Sequence, residues 1–244
     1  MCLVPSLPSR LRLSTLKSIA DQSVPVSAIC VLTQKAPVNL SFPAKISWVM
    51  NEFLGVVDLE SFDYLLRVDD DVDLPVNFVE GNLAGGFDVV GYGPAQLIKV
   101  SSFVRLMGGR FNGEHDDGYP IFKFKLCGLK AQASYFVEPD LRRLSGFHQG
   151  LQWFVSQGVL HYKYGHDILY EVAIVLGKWR QYHPYGLFFL LGYFKALFSG
   201  VERFDVGEVL LYQNMRKFRC PSRFLRVFTV EKYRNRMLRL IKFG

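Results

Sequence analysis

The sequence is poor in the features that mark secreted and membrane-spanning proteins. Its four cysteines are scattered without the spacing of a metal site, which argues against a disulfide framework and favours a reducing compartment. No signal peptide is expected, because Met1 leads almost directly into a strand-like segment. The longest uncharged apolar run covers residues 182–194, and it is shorter than the ~17–25 residues that span a bilayer. We therefore expect no transmembrane helix.

Acidic residues are nearly absent from the end of the chain. Residues 215–244 contain ten Lys and Arg against one acid, a net charge of +9 in a chain whose total is +7, so residues 1–214 are slightly acidic. Apolar residues of this tail recur at helical spacing between the basic ones, a pattern typical of a helix on an anionic membrane surface. A solvated tail is one alternative. Binding of nucleic acid through its phosphates is another, and the lack of any nucleic-acid fold signature disfavours it.

The remaining sequence predicts one large α/β domain with a mainly parallel sheet, because apolar runs bounded by Pro and Gly alternate with helix-like stretches. Strands are predicted near residues 1–5, 26–32, 63–68 and 87–92, helices near 11–21, 44–56 and 167–176, and a loop over 108–119. Ligands of such sheets bind outside the carboxyl ends of the strands, where the strand order reverses. The segments that follow the first and third strands are therefore the candidate site.

Three consecutive carboxylates, Asp69, Asp70 and Asp71, follow the third predicted strand. If the alternation of a strand continues through them, Asp69 and Asp71 share one side and Asp70 faces the other. Like charges this close repel each other, and a divalent cation with oxygen ligands removes the repulsion. The alternative is an ordinary surface turn, since residues 73–75 have good turn chemistry. We favour the metal interpretation.

An apolar strand followed by Asp-x-Asp and a Pro resembles the GT-A nucleotide-sugar glycosyltransferases, especially the inverting family 2 group. The resemblance covers about residues 1–185. Residues 3–6 and 9–10 resemble the first strand of the family and its exit loop, residues 13–23 the first helix, and residues 26–32 the second strand. Asn51 stands where the family often has an Asn, on the helix before the Asp-x-Asp strand. Further along the chain, Tyr164-Gly165-His166-Asp167 is similar to a Gly-Glu-Asp signature.

This resemblance implies a three-layer GT-A-like domain over residues 1–185, followed by a helical, basic extension over 186–244. It implies metal-dependent, inverting transfer of a sugar from a nucleotide-sugar donor to a hydroxyl acceptor, either a glycan or a lipid-linked one. Asp71, with Asp69 in support, would hold Mn²⁺ or Mg²⁺. The residues implied for donor binding are Pro5, Ser6, Arg10, Asn51, Asp69 and Asp70.

Two further site residues come from the same resemblance. Asp167 corresponds to the catalytic base, although an acid before an apolar helix is also a common N-terminal cap. His183 lies where some of these enzymes place a metal-binding His, although a lone His beside a Pro is more often a loop residue. His115, His148 and His161 have weaker claims as ligands.

Competing interpretations remain for the function and for residues 186–198. A nucleotidyltransferase would also hold Mg²⁺ with acids, but its first strand is normally followed by a Gly-rich loop, and residues 5–10 contain no glycine. A non-enzymatic basic adaptor explains the tail and not the three Asp residues. Residues 186–198 are apolar nearly all round, which favours a core or subunit contact or a helix at the membrane interface. We expect a cytoplasmic enzyme, peripheral on the inner face of the membrane, and predict no oligomeric state.

Overall fold

The structure is a computed structural model that describes residues 1–6, 11–40, 42–113, 117–141, 150–163, 165–166, 168, 171–172, 175 and 186–203. The chain divides into two compact units, residues 1–143 and residues 144–244. The predicted site residues Arg10, Asp167 and His183, and the whole basic tail, lie outside the described residues.

The first unit is built on a six-stranded sheet, as far as the structure describes it, with the order β2-β1-β3-β6-β5-β7. Its strands are β1 (Cys2–Pro5), β2 (Ile29–Leu32), β3 (Tyr64–Val68), β5 (Val89–Val90), β6 (Ala95–Lys99) and β7 (Ala131–Gln132). The pairings of β1 with β2, β1 with β3 and β5 with β7 are parallel, whereas β6 is antiparallel to both β3 and β5. All strands but β6 therefore run in one direction, which confirms the mainly parallel sheet. A separate antiparallel pair joins β4 (Val72–Asp73) to β8 (Asp140–Leu141).

Helices cover both faces of this sheet. They are α1 (Leu13–Ala20), α2 (Phe42–Leu54), α3 (Phe78–Leu83), α4 (Val100–Met107) and α5 (Gly118–Leu126). Successive strand residues face opposite sides, so Leu3 and Leu65 enter one core cluster and Val4 and Leu66 enter the other. The first cluster includes side chains of α2, α4 and α5, and the second includes side chains of α1 and α3. The predicted three-layer α/β architecture is confirmed in this unit.

The chain order places a crevice at a definite point of the sheet. β1 lies between β2 and β3, and all three strands are parallel. The chain moves from β1 outward to β2 and then returns to the other side of β1 as β3. The strand order reverses there, so the carboxyl ends of β1 and β3 form the crevice where ligands of open α/β sheets bind.

Several predicted boundaries were wrong. The strand predicted over residues 87–92 is only two residues long, because Gly91 with φ of +94° turns the chain away. The predicted loop over 108–119 ends earlier, since Gly118 and Tyr119 already belong to α5. β6 and α4 were not predicted at all. They follow each other without any Gly or Pro, so nothing in the sequence separates them.

Two helices of the second unit pack very closely, α6 (Gly150–Lys163) and α7 (Gly186–Phe198). A Cβ at Gly158 would lie 1.9 Å from the carbonyl oxygen of Phe189, and one at Gly192 would lie 2.0 Å from that of Val155. Only glycine at both positions allows this approach. Among the described residues, no helix is both long enough and apolar enough to cross a membrane.

Candidate functional site

The three carboxylates lie in a tight turn at the end of β3. The strand ends at Val68, the amide of Asp69 donates to the carbonyl of Pro94 at 2.8 Å, and the amide of Val72 donates to the carbonyl of Asp69 at 3.3 Å. The regular strand ends at Val68, so the alternation of a strand does not determine whether Asp69 and Asp71 share one side. The turn presents the acids at the carboxyl end of the sheet, as the sequence predicted.

Asp70 joins this turn to the exit of β1. The hydroxyl of Ser6 donates to Oδ2 of Asp70 at 2.8 Å, across 64 residues of sequence. The amide of Ser6 donates to the carbonyl of Leu32 at 2.9 Å, so the donor is itself fixed to the end of β2. Thr15 of α1 donates to the carbonyl of Asp70 at 3.3 Å. The structure therefore brings together Ser6 and Asp70, which the sequence named separately, at the point where the strand order reverses.

Asp69 is oriented by a buried cation that the sequence analysis did not select. Arg67 lies on β3 with only 4% of its side chain exposed, and its Nη2 is 2.9 Å from Oδ1 of Asp69. Its Nη1 donates to the carbonyl of Gly93. Arg67 thus connects Asp69 to the loop between β5 and β6, and a fixed guanidinium holds a carboxylate in one orientation.

Tyr135 also contacts the loop between β5 and β6. Its hydroxyl donates to the carbonyl of Ala95 at 2.6 Å and lies 2.8 Å from the carbonyl of Tyr92. Burial raises the pKa of Tyr135 to about 12, against the opposing effect of these two hydrogen bonds. The phenol therefore stays protonated at neutral pH and remains a donor to the loop that carries the partners of Arg67 and Asp69.

The donor set of the turn fits a hard divalent cation. Residues 69–73 hold four carboxylates, of which Asp69 forms an ion pair with Arg67. Asp73 is 8% exposed and accepts a hydrogen bond from Thr15 at 3.3 Å, so it has a structural partner inside the fold. Asp70 and Asp71 are half-buried. Carboxylate oxygens in this number are the ligands that Mg²⁺ and Mn²⁺ prefer.

Pro5 and Asn51 are the other described residues that the sequence predicted to bind the donor. Pro5 is the last residue of β1 and pairs with Leu32. Asn51, on α2, uses both ends of its amide on one backbone unit: Nδ2 donates to the carbonyl of Phe111 at 2.9 Å, and Oδ1 accepts from the amide of Phe111 at 2.8 Å. This contact gives Asn51 a structural role, and its binding of a donor stays a prediction.

The sequence analysis did not predict a second polar cluster, in the second unit, although it gave His161 a weaker claim as a ligand. His161 at the end of α6, His166 and Glu171 place one ligand atom each within 4.8 Å of one another. Glu171 is fully buried, and burial alone would raise its pKa. Hydrogen bonds from the two histidines and their charge outweigh this effect and lower the pKa of Glu171 to about 2. The intervals of five residues match neither a helix nor a strand face, and Gly165, with φ of +72°, turns the chain between His161 and His166.

Comparison with known proteins gives distant structural similarity only. No family model and no curated protein matches the chain. A mannosyltransferase from Pyrobaculum calidifontis, solved with GDP-Man and Mn²⁺, is 13% identical with a TM-score of 0.48 over 96% of this chain and 84% of that one. The protein A197 from STIV is 16% identical with a TM-score of 0.37 over 57% of this chain and 82% of that one. At these values neither similarity assigns an activity to this chain.

Proposed function

We propose that this chain is a metal-dependent, inverting glycosyltransferase that moves a sugar from a nucleotide-sugar donor to a hydroxyl acceptor. One observation carries the proposal. The hydrogen bond from Ser6 to Asp70 joins the exits of β1 and β3 at the reversal of strand order, and it lies within a turn of three consecutive carboxylates. Ligands of open α/β sheets bind at this place, and the acids supply oxygen ligands for a cation that accompanies a diphosphate.

The contacts of Arg67, Ser6 and Asp70 support the roles proposed for the residues of this turn. Asp71 and Asp69 are the proposed ligands, and Arg67 keeps the carboxylate of Asp69 in one orientation through the 2.9 Å ion pair. Ser6 and Asp70 hold the two exit loops together, which fixes the width of the crevice in which the donor would lie. A divalent cation bound to these acids would neutralise the charge that develops on the leaving diphosphate.

The proposed base is Asp167, as the sequence resemblance implies. Its carboxylate would take the proton of the acceptor hydroxyl while that oxygen forms a bond to the anomeric carbon. The bond from this carbon to the diphosphate oxygen breaks on the opposite face, so the configuration inverts and a nucleoside diphosphate leaves. Asp167→Asn should therefore lower kcat far more than it weakens donor binding, because the base acts in the transition state.

The test is a panel of nucleotide sugars with Mn²⁺ or Mg²⁺, monitored for the leaving group. Release of nucleoside diphosphate is the expected result, and the anomeric configuration of the product, read by NMR, should be inverted. A parallel reaction with a nucleoside triphosphate and a sugar phosphate tests the alternative, because a nucleotidyltransferase would release pyrophosphate from these substrates. Pyrophosphate release without nucleoside diphosphate would refute the proposal in favour of that class.

We also propose that the protein acts at an anionic membrane surface on the cytoplasmic side, on a lipid-linked acceptor. α7 buries Phe189 and Tyr193 but leaves an apolar stripe exposed. The stripe consists of Leu187, Leu191, Phe194 and Phe198, and three of these are 57–82% exposed. An apolar face that is followed in the sequence by a segment of net charge +9 supplies the two signals that reversible attachment needs, at ~1 kcal/mol for each basic residue near the surface.

Co-sedimentation of the full chain with anionic and neutral vesicles tests this attachment. Binding to anionic vesicles should weaken at high salt, because the Debye length falls from about 10 Å at 0.1 M to about 3 Å at 1 M. Leu191→Asp should weaken it further, whereas Asp21→Ala on the first unit should have no effect. Equal recovery in the supernatant under every condition would refute the attachment. A concentration-dependent dimer lost in Leu191→Asp would assign the stripe to a subunit contact.

A further inference from the structure

We propose that His161, His166 and Glu171 form a second metal site, specific for a borderline transition-metal dication such as Zn²⁺. The three residues lie in the second unit and none of them belongs to the carboxylate turn. Their donor set, two imidazole nitrogens and one carboxylate oxygen, is that of many zinc sites in which water occupies the fourth position.

The three ligand atoms converge on one point. Nδ1 of His161 lies 2.9 Å from Oε1 of Glu171, and Nδ1 of His166 lies 2.6 Å from the same oxygen. In a tetrahedral zinc site with bonds of ~2.0–2.1 Å, neighbouring ligand atoms are about 3.3 Å apart. Each imidazole would therefore move outward by less than about 0.8 Å to admit the ion. A side chain can make that adjustment without a change of backbone.

The surroundings hold the ligands in this arrangement. The hydroxyl of Tyr193 donates to the carbonyl of His166 at 2.6 Å, and the amide of His166 donates to the carbonyl of His161 at 3.0 Å. The ring of Phe189 packs against the ring of His161, with their centroids 4.6 Å apart. Both α6 and α7 thus fix the ligands before any ion binds, which reduces the cost of ordering them.

Burial also suits a bound ion. Glu171 is fully buried and the side chain of His166 is 8% exposed, whereas that of His161 is 21% exposed. A buried carboxylate is costly unless it is paired; the two histidines pair Glu171 in this structure, and a dication would pair it in the metal-bound form. The partly exposed edge of His161 leaves a route for the ion and a place for a water ligand.

The ligand types distinguish this site from the carboxylate turn. Imidazole nitrogen favours Zn²⁺, Ni²⁺ and Cu²⁺, whereas oxygen-only sites favour Mg²⁺, Ca²⁺ and Mn²⁺. Excess Mg²⁺ should therefore fill the turn and leave the histidine site open to Zn²⁺. Because the ligands flank Gly165 on both sides, a bound ion would fasten the end of α6 to the segment that follows it.

Calorimetric titration of Zn²⁺ into the full chain, stripped with EDTA and held in excess Mg²⁺, tests the proposal. Wild-type protein should bind one tight equivalent. Glu171→Gln and His161→Ala should each weaken binding at least about 10-fold. The control Asp71→Ala, which alters the other site, should retain it. Tyr193→Phe, which loses a contact to the His166 backbone but no ligand, should weaken binding less than Glu171→Gln or His161→Ala.

Three results would overturn the site: no Zn²⁺ bound by the wild type, equal binding by Glu171→Gln, or loss of binding in Asp71→Ala. The first of these results is measured on the wild type, so misfolding of a variant cannot explain it. Co²⁺ gives a second readout on the wild type, since a four-coordinate nitrogen and oxygen site should produce strong visible absorption. A weak, six-coordinate Co²⁺ spectrum would also contradict the site. In either case the cluster is a hydrogen-bonded His-Glu-His network only.

Discussion

Substitution of Gly192 by Ala should destabilise the pair of helices α6 and α7. A Cβ at this position would lie 2.0 Å from the carbonyl oxygen of Val155. Close C···O contacts between helices are about 3.3 Å, so the helices would have to separate by roughly 1.3 Å. The obstructing atom belongs to backbone, which cannot change rotamer to make room. Overpacking of this kind typically costs ~1–3 kcal/mol, and a clash with backbone belongs at the upper end.

The same substitution also has a stabilising effect, which opposes the clash. Alanine is favoured over glycine inside a helix by ~1 kcal/mol. The expected net loss in the free energy of unfolding is therefore about 2 kcal/mol, equivalent to roughly 4–8 °C in Tm for a chain of this size. Thermal denaturation followed by circular dichroism measures it. Gly113→Ala is the matched control, because a Cβ there meets nothing within 4 Å. A Gly192→Ala protein as stable as this control would refute the close packing of the two helices.

Three further predictions concern single side chains. Asn51→Ala should lower the free energy of unfolding by ~1–3 kcal/mol in urea titration, because the amide and carbonyl of Phe111 both lose their partner; an unchanged midpoint would contradict this. The pKa of Glu171, about 2, lies below its ordinary value of 4.5, so its ionised form stabilises the metal-free protein above pH 4.5 and that contribution is lost as the pH falls toward 2. Glu171→Gln should flatten the loss of stability in this window, and an unchanged pH profile would refute the network. Ser6→Ala should weaken donor binding about 3–10-fold, as expected for one hydrogen bond of ~0.5–1.5 kcal/mol, and equal affinity would separate Ser6 from the site.

The first three strands of the sheet could be predicted from the sequence because each is a short apolar run that ends at polar or turn residues. Leu65 and Leu66 are both buried, on opposite faces, as expected for a strand covered by helices on both sides. β6 could not be predicted from its local sequence. Its place is set by antiparallel pairing with β3, a non-local contact, and its last residue, Lys99, leads directly into α4.

The candidate site also has features that could be predicted from the sequence and features that could not. The acids could be predicted because three consecutive carboxylates after a strand are unusual in themselves. The contact of Ser6 with Asp70 could not, because 64 residues separate the two in the sequence. Arg67 stands two residues before Asp69 in the sequence, so the alternation of a strand could have predicted their ion pair. The histidine cluster depends on the left-handed conformation of Gly165, whose φ is +72°, and no periodic pattern indicates such a turn.

Metal-linked binding of a nucleoside diphosphate tests the central proposal most directly. Calorimetry should be run with the common nucleoside diphosphates, with Mn²⁺ and with EDTA, on wild-type protein and on Asp71→Ala, with Asp21→Ala as the control on an exposed acid. The account predicts that at least one nucleoside diphosphate binds the wild type and the control in Mn²⁺. It also predicts that EDTA or Asp71→Ala weakens this binding by about 100-fold, or ~2.8 kcal/mol. Binding that is equally tight in EDTA and in Asp71→Ala would contradict the proposal that the carboxylate turn holds a metal for the donor.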